Sequence, residues 1–203
     1  MNTTAENSIN NSYGISEKAK NKCRLSVVVS VYNEEKALRD FYRETNKVLE
    51  QIETLGWEHE LVFVNDGSKD QSLNILEELA GMDKNVKIVS FSRNFGHEAA
   101  MIAGIDYSTG DGIICMDADL QHPPECIPKI IEKFDAGYEV INMVRTKNES
   151  AGLIKNITSS GFYWLINHIS DVHFEPNASD FFAISRHVAQ VLKDNYREKV
   201  RFL

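Results

Sequence analysis

A chain of 203 residues is long enough for one ordinary domain with a sizeable core and short for two. Apolar residues at 42% and charged residues at 26% match a globular protein, and a formal charge of −8 argues against general nucleic-acid binding. No stretch approaches the roughly 18 apolar residues of a spanning helix, and the start of the chain lacks a signal peptide's apolar centre.

Residues 1–22 are polar and rich in Asn, Ser and Lys, so a disordered tail is expected there, with the folded domain over 23–203. Leu25 to Val31 is a β-branched run that reads as a buried strand. Asn33 is placed to cap a helix whose positions Leu38, Phe41, Tyr42, Thr45, Val48, Leu49 and Ile52 recur at helical spacing up to Gly56. Glu60 to Val64 is a second strand, ending in the turn cluster Asn65-Asp66-Gly67-Ser68. Leu73, Leu76, Leu79 and Ala80 mark the next helix, stopped near Gly81. The pattern continues with a strand over Val86 to Phe91, a helix over His97 to Tyr107 and a strand over Gly112 to Met116. A helix over Pro124 to Phe134 and a fifth strand over Glu139 to Val144 complete it. Such alternation predicts an α/β fold: a mostly parallel central sheet with helices on both faces.

In such sheets ligands bind beyond the carboxyl ends of the strands. Tyr32-Asn33-Glu34-Glu35, Asn65-Asp66-Gly67-Ser68, Ser92-Arg93-Asn94 and Asp117-Ala118-Asp119 each follow a strand's last apolar residue, so these loops share one rim. Residues i and i+2 of an extended segment point the same way, which aims the Asp117 and Asp119 carboxylates at one point. Neighbouring carboxylates repel, and a hard divalent cation, Mg²⁺ or Mn²⁺, removes the conflict; Gln121 offers a third oxygen. The alternative is a strand-end turn residue followed by a cap for the helix near Pro123. Neither a dinucleotide fingerprint nor a P-loop is present.

The segments SVVVSVYNEE, FVNDGSKD, SRNFGHEAA, DADLQHPPE and SDFF, in that order, resemble the family 2 glycosyltransferases of the GT-A nucleotide-diphospho-sugar transferase fold. Within that family the likeness is to the dolichyl-phosphate mannose synthases and the bactoprenol (undecaprenyl-phosphate) glucosyltransferases, and it runs from about Leu25 to the C-terminus. The resemblance implies that Tyr32, Asn33, Glu34, Gly67 and Ser68 line a nucleotide pocket with Asp66 reading the base. It implies that Asp117, Asp119 and Gln121 hold the metal beside the donor diphosphate, and that Arg93 and Arg145 contact phosphate or sugar. Asp180 matches the late catalytic aspartate, with Asp119 as its metal-side partner; alternatively Asp180 caps a strand containing Phe181 and Phe182. Three positions depart from the family pattern: Ser30 for a frequent proline, Asn65 for the first of two aspartates, and His122 for an aspartate after the glutamine.

The implied reaction is metal-dependent and inverting, from a UDP- or GDP-sugar to a polyprenyl phosphate. The alternatives are transfer to a sugar hydroxyl in cell-surface polysaccharide synthesis, or a non-catalytic nucleotide-sugar-binding protein. The three cysteines, Cys23, Cys115 and Cys126, lack metal-ligand spacing and read as reduced thiols, which points to a cytoplasmic protein. A lipid-phosphate acceptor would put it at the cytoplasmic membrane face. Leu153 to Ile169, with Phe162, Tyr163 and Trp164, reads either as a membrane-apposed stretch or as core. The final residues carry no closing signal, so the sequence reads as truncated ahead of C-terminal membrane segments.

Overall fold

The computed structural model describes residues 22–144 and 178–195. The chain runs β1 (Cys23–Val31), α1 (Leu38–Glu53), β2 (Trp57–Asn65), α2 (Ser72–Met82), β3 (Val86–Ser90) and α3 (His97–Tyr107). It continues through β4 (Gly112–Asp117), a 3-10 turn (Pro124–Cys126), α4 (Ile127–Asp135), β5 (Val140–Val144), β6 (Ala178–Ser185) and α5 (Arg186–Asn195). The tail before Lys22, Arg145, the 153–169 stretch and the last residues lie outside the described residues.

The six-stranded sheet has the order β3-β2-β1-β4-β6-β5. β3, β2, β1 and β4 are parallel, with Val29 level with Phe63 on one side and Met116 on the other. β6 lies antiparallel between β4 and β5, so the fifth strand of the expected series does not join β4 directly. Periodicity reports that a segment is a strand, whereas its neighbour depends on contacts remote in sequence.

Alternation along the strands divides the core. Leu25, Val27, Val29 and Val31 turn toward the buried faces of α1, α2 and α4, meeting Phe41, Leu49, Leu76, Ile127 and Ile131. Val28, Val62, Ile113 and Cys115 turn the other way, against Met101 and Ile105 of α3 and Ala189 of α5. With helices on both faces every central strand is buried on both sides, which is why β1 reads as an unbroken apolar run.

Two local expectations change. Asn33 does not cap α1. It takes a positive φ of 58° and its side chain accepts the Lys69 N–H at 2.8 Å, while the helix starts after Ala37, whose N–H donates to the Glu34 carbonyl. The helix expected from Pro124 opens as a 3-10 turn and becomes α-helical at Ile127, with Pro128 in the first turn, where a missing N–H costs nothing.

Candidate active site

The four loops do meet. Tyr32 and Glu34 after β1, Asp66 after β2, Asn94, Gly96 and His97 around the start of α3, and Asp117 to Asp119 after β4 line one cavity of about 400 Å³. That volume lies within the range of small-ligand sites. Ser30 also lines it.

The frame behind the cavity is a lace of hydrogen bonds between loops. The Asn33 N–H donates to Ser68 Oγ at 3.0 Å, the Glu34 N–H to Ser72 Oγ at 2.8 Å and the Glu35 N–H to Asp70 Oδ2 at 3.1 Å. Asn65 closes its own turn, accepting the Ser68 N–H and donating its amide to Ser90 Oγ of β3. Gly67 has a φ of +67°, and a Cβ there would sit 2.4 Å from the Arg93 carbonyl carbon, so only glycine lets the two backbones touch. Asn33, Gly67 and Ser68 thus belong to the frame behind the cavity and are not among its walls.

Carboxylates dominate the interior. Burial raises the Glu34 pKa above the ordinary glutamate value, and the Asp119, Asp117 and Asp70 carboxylates raise it further. The strand ends at Asp117, and Ala118–Asp119 form a turn followed by Leu120 at a φ of 58°. Asp117 and Asp119 therefore reach the same cavity through a turn, not along one extended segment as the spacing predicts. Asp119 Oδ1 accepts the Gln121 N–H at 3.0 Å, and the Gln121 side chain is not among the cavity's walls. Among the described residues no cluster of three or more His, Cys, Asp or Glu side chains is set to hold a metal ion. The donor set on offer is the hard oxygen pair of Asp117 and Asp119, facing an open cavity. This suits a cation such as Mg²⁺ that binds one or two carboxylates and completes its shell with water and phosphate.

The remaining expected residues separate. Asp66, 1% exposed, accepts the N–H groups of Phe95 at 2.7 Å and Gly96 at 2.9 Å. Arg93 lies over the Phe95 ring at 4.2 Å, outside the cavity walls. Asp180 falls on β6, two residues beyond Phe182, where the pairing with β4 ends at Cys115 and the register with β5 shifts between Phe182 and Ala178.

Two histidines complete the surroundings of Asp117. His97 Nδ1 is 3.6 Å from Asp117 Oδ1, and His122 Nδ1 accepts the Asp117 N–H at 3.3 Å. His122 is 3% exposed and stacks on Phe181 at 5.0 Å, so it joins the end of β4 to β6. The sequence places both near the rim without assigning them a role. The signal for His122 was its position beside the metal-site motif, where the family has an aspartate.

A second cavity, of about 480 Å³, opens at the opposite rim among Arg24, Glu58, Lys87 and Glu60. Its charges pair with one another, Arg24 with Glu58 at 2.9 Å and Lys87 with Glu60 at 2.6 Å. Glu34, Asp66, Asp117 and Asp119 gather at the carboxyl rim, and the cavity they line is the candidate site.

A mostly parallel sheet with a carboxylate-lined cavity beyond its strand ends is the arrangement of the GT-A glycosyltransferases. The model of glycosyl transferase family 2 matches residues 26–191, and the chain belongs to that family. It is 43% identical over 178 residues to the uncharacterized glycosyltransferase YkcC of Bacillus subtilis, covering 88% of this chain and 54% of that protein. It is 43% identical over 170 residues to the bactoprenol glucosyl transferase of Shigella phage SfX, covering 84% of this chain and 55% of the relative. The chain thus spans about half the length of these curated relatives. In fold it is similar to the mannosyltransferase PcManGT from Pyrobaculum calidifontis, solved with GDP-Man and Mn²⁺. The TM-score is 0.57 at 17% identity, over 85% of this chain and 47% of that one.

Proposed function

We propose that this family 2 glycosyltransferase moves a sugar from a nucleoside-diphosphate sugar to a polyprenyl phosphate, with inversion at the anomeric carbon and with Mg²⁺ or Mn²⁺. The observation that carries the reading is the pair Asp117 and Asp119 in the cavity at the carboxyl rim, crowded against Glu34. The acceptor is argued from the relatives named as bactoprenol glucosyl transferases, and the donor from the family and from the GDP-Man complex of a protein of the same fold.

In this reading Tyr32, 41% exposed, offers an aromatic face to the base, and Glu34 lines the nucleotide pocket with it. Asp117 and Asp119 would hold the divalent ion, which would supply positive charge to stabilise the departing diphosphate. The acceptor phosphate oxygen forms the new bond to the anomeric carbon as the bond from that carbon to the donor diphosphate breaks. The electron pair leaves with the nucleoside diphosphate. A phosphate monoester has a second pKa near 6, so the acceptor is mostly ionised at neutral pH and needs no base. Asp180, on β6, then orients acceptor or sugar. Gln121 and Arg145 remain further candidates for the metal and the phosphates. The chain works at the cytoplasmic face of the membrane in this proposal, although no helix among the described residues is long and apolar enough to cross one.

The test is product formation from UDP- and GDP-sugars with polyprenyl phosphate, with Mg²⁺, Mn²⁺ or chelator. An acid-labile lipid-linked sugar formed only with metal is expected. Transfer to a sugar hydroxyl and not to the lipid phosphate would replace the acceptor, and turnover unaffected by chelator would remove the metal.

A further inference from the structure

Asp66 has a place in the site that a base-reading role does not explain. Its carboxylate, 1% exposed, already receives two backbone N–H groups, from Phe95 at 2.7 Å and Gly96 at 2.9 Å. Its own N–H donates to the Val31 carbonyl at 2.8 Å, which ties it to the end of β1. The receiving loop has a demanding route. β3 and β4 are separated in the sheet by β2 and β1, so the chain leaving β3 must be redirected across strands spaced about 4.8 Å apart before α3 can lead to β4. Gly96 makes the turn with a φ of 101° and a ψ of 154°, a conformation that residues with a Cβ avoid.

The next residue is His97, first in α3, whose Nδ1 lies 3.6 Å from Asp117 Oδ1. The position of that imidazole therefore depends on where the loop is fastened. Gly67 reinforces the fastening, since its missing Cβ lets the loop after β2 lie on the Arg93 and Asn94 backbone.

We infer that Asp66 is a positioning residue: its carboxylate fastens the Phe95–Gly96 backbone and thereby sets His97 opposite Asp117 on the donor side of the cavity. The word donor rests on the function proposed above; the fastening itself does not. Charge-assisted hydrogen bonds from two successive amides need a carboxylate, because an Asn side chain offers one acceptor oxygen and turns an N–H₂ toward the second amide.

The experiment compares the whole chain with Asp66→Asn, Gly96→Ala and His97→Ala. In ligand-free protein, hydrogen–deuterium exchange of the 91–97 segment should accelerate about tenfold or more in Asp66→Asn, with exchange in β1 unchanged. UDP and GDP, titrated separately with Mg²⁺, should each lose affinity by the same factor, about tenfold. Asp66→Asn combined with His97→Ala should weaken binding no further than the worse of the two alone. A Cβ at Gly96 meets nothing within 4 Å but strains the backbone, so Gly96→Ala should reproduce the exchange and affinity changes if Asp66→Asn fails to fold. Unchanged exchange, or an affinity loss confined to one base, would overturn the inference. If wild type binds neither nucleotide, the proposed function fails. Faster exchange, with the same shift of the His97 imidazole NMR signals in Asp66→Asn and Gly96→Ala, would then still support the fastening.

Discussion

Glu60 is a carboxylate inside the sheet with its side chain 3% exposed, and its replacement by glutamine has a calculable effect. It accepts hydrogen bonds from Ser26 Oγ at 2.6 Å, the Thr109 N–H at 2.6 Å and Thr109 Oγ1 at 2.9 Å, and pairs with Lys87 Nζ at 2.6 Å. β1, β2, β3 and the turn before β4 are joined at this one group. Glutamine keeps the shape and one acceptor oxygen but sets an N–H₂ against a donor. Losing one charge-assisted bond costs about 1.5–3 kcal/mol. The Lys87 partner, 43% exposed, adds only about 0.5–1 kcal/mol because water screens it. A total near 3 kcal/mol lowers the melting temperature of a domain this size by roughly 6–12 °C. The pH dependence tests the cause. Burial by itself would raise the Glu60 pKa, but the Lys87 pair and the bonds from Ser26 and Thr109 outweigh it and hold the carboxyl below its ordinary value. A depressed folded pKa means the stabilisation is complete above the unfolded value, about 4.3, and is lost as pH falls through the folded one. Urea unfolding at pH 7, 5, 4 and 3 should show the gap between wild type and Glu60→Gln closing below about pH 4. A gap that stays constant to pH 3, or one under about 0.5 kcal/mol at pH 7, would refute the reasoning.

Gly67→Ala forces a Cβ against the Arg93 backbone at positive φ, so a loss of about 1–3 kcal/mol is expected in thermal melts together with weaker nucleotide binding. Asp119→Asn keeps an oxygen for the Gln121 N–H and lies on an exposed turn. Melting should therefore stay within about 0.5 kcal/mol of wild type while product formation falls at least about 100-fold; near-normal turnover would count against the metal pair. The raised Glu34 pKa favours the fold at low pH, a benefit lost as pH rises through the folded value. In ¹³C NMR titrations of metal-free protein, Asp119→Asn should move the Glu34 midpoint downward, and an unmoved midpoint would show that the carboxylates do not sense each other.

The strand and helix series was legible from periodicity, because β-branched runs and helical spacing act within a few residues of each other. Val27, Val29 and Val31 were recognisable as core from their own neighbours, and the parallel alternation alone directed Tyr32, Asp66 and Asp117 to one rim. Tertiary structure decided what each polar side chain at that rim does. Asn33, Ser68 and Asp66 carry the residue types of a ligand pocket, yet Asn33 and Asp66 accept backbone N–H groups from other loops, and Ser68 Oγ accepts one as well. The insertion of β6 between β4 and β5, and the approach of His97 and His122 to Asp117, were equally out of reach. The reason is physical. A hydrogen-bond acceptor is satisfied by whichever donor the fold brings within about 3 Å, and donors from distant segments leave no periodic trace in the sequence.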